Sequence, residues 1–109
     1  MKTEKAAQRV TVLVGETDRH DGRTLYEAIV SMLHAEGVAG ATATRGILGY
    51  GTTGRTHSAH LLDVADDLPI AVVFVDSAEM VQRVLPKLDA MIGSGLVTVE
   101  DVSAITYTP

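Results

Sequence analysis

Ile70-Ala71-Val72-Val73-Phe74-Val75 is an unbroken apolar run, with Pro69 before it and Asp76-Ser77 after it. A membrane span needs about 20 apolar residues. A short apolar run of this kind, bounded by turn residues and rich in β-branched side chains, fits a strand covered on both faces. The run is therefore the expected centre of a sheet. With 109 residues, the chain forms one domain, assigned to residues 8–107, with residues 1–7 as a polar leader.

The remaining elements follow from periodicity. Val10-Thr11-Val12-Leu13-Val14 predicts a strand of about five residues ending at Gly15, and Glu16 to Arg23 is a polar connection. Thr24-Leu25-Tyr26-Glu27 has the form of a capping box, and Leu25, Ala28, Ile29, Met32 and Leu33 form one helical stripe that Gly37 stops. Ala41 to about Ile47 predicts a second strand. Asp76 or Ser77 caps a second helix with the stripe Val81, Val84, Leu85, Leu88, Met91 and Ile92, and Pro86 within it predicts a kink. After Gly93-Ser94-Gly95, Leu96 to Val99 is the last main strand. The in-out parity slips at Glu100-Asp101, which predicts a bend and a separate short strand over Val102 to Tyr107.

This order, βαββαβ, is that of an α+β ferredoxin-like fold, a four-stranded antiparallel sheet with two helices on one face. The other face is left bare. Apolar strands exposed on one side call for a partner, so self-association is expected.

Charge and composition narrow the function. Nine basic side chains against fourteen acidic ones give a net charge of −5, and only 4% of residues are aromatic. That is the wrong sign for a phosphate-backbone binder and leaves no stacking platform, so no nucleic-acid partner is expected. The absence of cysteine excludes disulfides, thiolate metal sites and cysteine nucleophiles. The charged first ten residues do not read as a signal peptide, so a cytoplasmic location without membrane insertion is expected.

Glycine makes up four of the nine residues from Gly46 to Gly54, and the connection running to Leu68 is long for a compact domain. Gly49-Tyr50-Gly51-Thr52-Thr53-Gly54 fits G-x-G-x-x-G, and Asp76 stands where that fingerprint places a ribose-binding acid. A dinucleotide-binding enzyme is thus one alternative, although Arg55-Thr56-His57-Ser58-Ala59-His60 is too polar to open a packed helix. The near-match to a phosphate-binding P-loop puts Arg55 where lysine belongs, and the chain is short for a Walker enzyme. Both patterns share one chemistry: glycine amides approach an anion closely, and Arg45 and Arg55 flank them. His57 and His60 have a metal-compatible spacing with Asp63, but solvated loop histidines are the better reading, and no metal site is assigned. Ser58, Ser77 and Ser94 lack nucleophile-elbow surroundings, and no catalytic set stands out.

Taken together, Val12-Leu13-Val14-Gly15-Glu16-Thr17-Asp18-Arg19, Asp21-Gly22-Arg23-Thr24-Leu25-Tyr26-Glu27-Ala28-Ile29-Val30, Arg45-Gly46-Ile47 with Gly49-Tyr50-Gly51, Asp67-Leu68-Pro69, Val75-Asp76 and Gly95-Leu96-Val97-Thr98 resemble the PII-like family called domain of unknown function 190. The resemblance spans about residues 8 to 107. It implies a ferredoxin-like subunit forming a homotrimer with inward-facing sheets. It further implies intersubunit clefts that bind an adenine nucleotide (AMP, ADP or ATP) or a similar small anion as effector, with no cofactor required. The loop 46–68 would then signal to a transporter, channel or enzyme, and the protein itself would be no enzyme.

Gly49-Tyr50-Gly51 is similar to the Gly-Phe-Gly at the base of the PII signalling loop, and Gly93-Ser94-Gly95 matches a second glycine-rich loop after the second helix. The ligand-binding candidates are accordingly Arg45, Gly46, Gly49, Tyr50, Gly51, Arg55, Gly93, Ser94 and Gly95. Thr52-Thr53 replace the family's Arg-Gln, which leaves a monophosphate or another small anion level with a triphosphate. A ligand-free protein adaptor is the remaining alternative.

Overall fold

A computed structural model describes residues 1–51 and 67–109. The elements are β1 (Lys2–Gly15), β2 (Arg19–His20), β3 (Arg23–Thr24), α1 (Leu25–Glu36), β4 (Thr42–Arg45), β5 (Pro69–Asp76), α2 (Ala78–Met91) and β6 (Leu96–Tyr107). The four long strands make one antiparallel sheet in the order β4-β5-β1-β6. This is the expected α+β ferredoxin-like arrangement, with the apolar run of β5 in an interior position.

Alternation along the strands separates two faces. Val10, Val12 and Val14 of β1 and Ile70, Val72 and Phe74 of β5 pack with Leu25, Ile29 and Leu33 of α1 and Val81, Val84 and Leu88 of α2 in one core. Each such side chain, fully buried, contributes about 1.5–3 kcal/mol. The intervening residues face the other way, where Leu13, Val75 and Leu96 remain exposed. The sheet therefore has a helix-covered face and a bare one. Among the described residues no helix is long and apolar enough to cross a membrane.

Several expectations need correction. The first strand is much longer than five residues: Lys2 to Ala7, read as a polar leader, pair with Val102 to Tyr107. Alternating apolarity marks only the stretch that meets the helices, and beyond Gln8, where β5 pairing stops, β1 and β6 continue as a two-stranded ribbon. For the same reason β6 does not break at Glu100-Asp101. Both residues sit in register opposite Arg9 and Gln8, Arg9 donates to the two Glu100 carboxylate oxygens at 3.0 and 3.1 Å, and Gln8 Nε2 donates to Asp101 Oδ1 at 3.0 Å. Polar cross-strand pairs carry the strand over the point where its apolar parity changes.

The polar connection after β1 contains the hairpin β2-β3, turned by Asp21 (φ 49°) and Gly22 (φ 83°). An Asp-Gly pair with both residues at positive φ suits a two-residue turn. The capping box at α1 is not made: Thr24 is the N-cap, but its hydroxyl donates to the Glu27 carboxylate instead of accepting from a helix amide. Ser77 caps α2 as expected, accepting from the Met80 amide at 3.1 Å. That helix runs through Pro86 without interruption, held beyond it by the buried Leu88. β4 is confined to four residues.

Candidate functional site

Antiparallel pairing fixes which residues share an end of the sheet. Gly15 pairs with Pro69, Arg45 with Ile70, and Leu13 with Leu96. The start of the 46–68 connection, its return at Pro69, the turn after β1 and the loop before β6 therefore meet at one end. Most of the residues nominated from sequence lie here, in two groups on either side of the turn after β1.

Arg45, Gly46, Gly49, Tyr50 and Gly51 form the first group. The Gly46 N–H donates to the Pro69 carbonyl at 2.7 Å, and a Cβ on Gly46 would stand 2.8 Å from Pro69 Cγ, so the chain leaves β4 pressed against the proline. Gly49 is nearly as close to the same ring, whereas Gly51 has open space. Ile47, Leu48 and Tyr50 are exposed. Arg45 Nε lies 3.0 Å from Glu16 Oε2.

Gly93, Ser94 and Gly95 form the second group. A Cβ on Gly95 would come within 2.6 Å of the Leu13 carbonyl oxygen, so only glycine allows the chain to enter β6 this close to β1. Gly93 and Ser94, with Asp18, Arg19, Leu25 and Met91, line a cleft of about 240 Å³. Its lining combines the apolar Leu25 and Met91 with one acidic and one basic side chain, Asp18 and Arg19.

The link between the two groups is the turn 15–19, which the sequence reading left without a role. The Gly15 N–H donates to Asp18 Oδ2 at 2.8 Å, and the Leu25 N–H donates to the Asp18 carbonyl at 2.7 Å. Thr17 donates through its N–H (3.0 Å) and hydroxyl (2.9 Å) to Asp67 Oδ1. Arg19 donates to the Gly22 carbonyl at 2.7 Å, which holds its guanidinium at the cleft rim. The polar residues Glu16, Thr17, Arg19 and His20 around Asp18 were a visible hint; the distant partners, Arg45 for Glu16 and Asp67 for Thr17, were not.

Arg55, His57 and His60 lie outside the described residues. The structure separates the two parts of the dinucleotide pattern: Asp76 is at the far end of β5, accepting from the Ala39 amide at 3.0 Å and the Ser77 amide at 2.8 Å. Moreover, β4 and β5 run antiparallel, whereas that fingerprint belongs to a unit with parallel strands. Thr52, Thr53 and Gly54 lie outside the described residues; among those described, Gly49 and Gly51 have neither the parallel strand pair nor the acidic residue beside them that such a site uses. Among the described residues no cluster of three or more His, Cys, Asp or Glu side chains is grouped to hold a metal.

Comparison with known proteins adds the following. The model of the family DUF190, described as uncharacterized ACR, matches residues 7–104. A UPF0166 protein of Methanocaldococcus jannaschii is 34% identical over 96 residues, 87% of this chain and 88% of its own. Among solved structures, the apo form of CPII, a nitrogen regulatory PII-like protein of Thiomonas intermedia K12, superposes with a TM-score of 0.61 at 16% identity, over 98% of this chain and 100% of that one. CPII bound to ADP and bicarbonate gives a TM-score of 0.59 at 20% identity, over 94% and 91%. The fold is thus PII-like.

Proposed function

The chain belongs to the DUF190 family, and from that premise we propose that it is a non-enzymatic PII-like sensor, residues 8–107 forming the working domain. It binds an adenine nucleotide or a related small anion at clefts completed by neighbouring subunits of a homotrimer. The observation that carries this reading is the convergence at one sheet end of a guanidinium, Arg45, two glycine-rich segments and the cleft beside Asp18 and Arg19. Glycine backbones let main-chain amides approach phosphate oxygens, and arginine supplies a planar fork for them. Arg45, Gly46, Gly49 and Gly51 serve one part of the ligand, and Gly93, Ser94 and Gly95 another. Tyr50 offers a packing surface, and Arg55 further charge.

Support for the ligand class comes from CPII, whose structures hold ADP, in one case with AMP and acetate. The bare sheet face, with Leu13, Val75 and Leu96 exposed, supports the trimer, since apolar surface of this kind favours association. The exposed Ile47, Leu48 and Tyr50 support a protein partner for the segment 46–68, a transporter, channel or enzyme, in keeping with a cytoplasmic regulator.

Calorimetric titration with AMP, ADP, ATP and NAD tests the reading, on a preparation whose light scattering gives three times the 11.5 kDa chain mass. A mononucleotide is expected to bind more tightly than NAD, and Arg45→Ala to weaken it about tenfold, the loss typical of a charge-assisted contact. Absence of binding by every adenine nucleotide overturns the ligand assignment, and scattering by a monomer removes the shared clefts.

A further inference from the structure

The guanidinium that the sensor reading assigns to a ligand already holds an anion from its own chain. Glu16 Oε2 lies 3.0 Å from Arg45 Nε, and Glu16 is the less exposed partner, 26% against 61% for Arg45. Its main chain is fixed: the Glu16 N–H donates to the Leu68 carbonyl at 2.9 Å, and the next residue, Thr17, is bound twice to Asp67. The carboxylate is therefore presented by an anchored turn. Through it, Arg45, on the near side of the long connection, is tied to residues 67–68 on the far side.

Building on the sensor reading, we propose that Glu16 is the resident anion of Arg45, an internal competitor that a ligand phosphate must displace. Two arguments converge on this. A guanidinium attracts a carboxylate and a phosphate by the same charge, so the Glu16 carboxylate, 3.0 Å from Nε, stands where a phosphate would approach. Furthermore, a partly exposed ion pair changes an equilibrium only a few-fold, and a polyphosphate carries more charge than one carboxylate, so exchange is feasible. The exchange is also local. Gly46 stays bonded to Pro69 and β4 stays paired with β5, so ligand entry frees the Glu16 side chain while the strand end holds. Glu16 thus sets the ligand concentration at which Arg45 changes partner.

The test titrates inorganic pyrophosphate and ADP into the wild type, Glu16→Gln, Arg45→Ala and the double variant. Glu16→Gln is expected to bind pyrophosphate about three- to fivefold more tightly than wild type, the size of such an ion pair, and Arg45→Ala more weakly. In the Arg45→Ala background the gain from Glu16→Gln should vanish, because the competitor then has nothing to compete for. Glu79→Gln, in the first turn of α2, removes the same charge from the opposite end of the sheet and should leave affinity within about 1.5-fold, as screening dictates.

Equal gains from Glu79→Gln and Glu16→Gln would reduce the effect to net charge and overturn the proposal, as would unchanged or weaker binding by Glu16→Gln. If pyrophosphate follows the expected pattern while ADP binds no variant, the role of Glu16 stands and the adenine-nucleotide reading falls. If ADP binds wild type and Glu16→Gln gains nothing with either probe, the nucleotide reading stands and Glu16 falls. Silence of both probes on every variant defeats both.

Discussion

At the end of the sheet where β5 runs into α2, the Asp76 carboxylate accepts from two main-chain amides, those of Ala39 and Ser77, and Ser77 in turn caps the helix through Met80. At the other end, Arg45 is held by the side chain of Glu16, and Thr24 leaves the helix amides uncapped. Both ends carry carboxylates, turns and a helix start. The difference lies in what the polar groups hold. Amide partners belong to the fold and cannot be exchanged without breaking it, whereas a side-chain ion pair can trade one anion for another at little cost. The same sequence chemistry thus builds only amide-bound closures at the Asp76 end, and at the other adds to its own amide-bound carboxylates, Asp18 and Asp67, one replaceable contact, Glu16 with Arg45.

The comparison would be most sharply tested at Gly95. Gly95→Ala puts a methyl 2.6 Å from the Leu13 carbonyl oxygen and 3.2 Å from Val14 Cγ1, and the oxygen belongs to a strand paired on both sides, so it cannot give way cheaply. A loss of about 3 kcal/mol in urea unfolding is expected, at the upper end for overpacking. Gly93→Ala, with open space around it, should stay within about 0.5 kcal/mol. If the two variants unfold alike, the second glycine group is not built around a close approach.

Next in size is Asp76→Ala. It strips two amides of their acceptor and should cost about 2 kcal/mol, with ADP affinity unchanged because Asp76 lies at the far end from Arg45. Asp76→Asn, which keeps an acceptor oxygen, should recover part of the loss. A fall in ADP affinity with Asp76→Ala would mean that the two ends are not independent.

What could be read from the sequence followed the burial. Ile70 to Val75 marked the interior strand because Ile70, Val72 and Phe74 enter the core between β1 and the helices, and the stripes of α1 and α2 were legible because one face of each meets the same core. Lys2 to Ala7 was misread for the same reason: a two-stranded ribbon outside the core has no apolar face to alternate with. Asp21-Gly22 was legible and passed over, since the hairpin it turns is only two residues long on each side. The glycines and Arg45 announced an anion site through residue type alone. Glu16 and Asp67 did not, because a carboxylate shows its role only through its partner, and Arg45 and Thr17 reach them only through the pairing of β5 with β4 and β1.

The smallest expected effect concerns the two helix starts, one at each end. Ser77 Oγ accepts from the Met80 amide, so Ser77→Ala exposes a helix donor and should cost about 1 kcal/mol, the usual value for a lost N-cap. Thr24→Ala removes a hydroxyl that donates to Glu27 and satisfies no amide. The Glu27 carboxylate, in the first turn of α1, then turns freely to water or toward the helix amides, where the dipole favours it. The expected cost is therefore below about 0.5 kcal/mol, the scale of a surface change. Adding Glu27→Gln should separate Thr24 from its neighbour, since a neutral amide interacts less with the helix end. Thermal melts of the single and double variants measure the difference directly. A Thr24→Ala loss as large as that of Ser77→Ala would show that the α1 start is capped in solution, and the contrast between the two ends would then narrow to Arg45 and Glu16 alone.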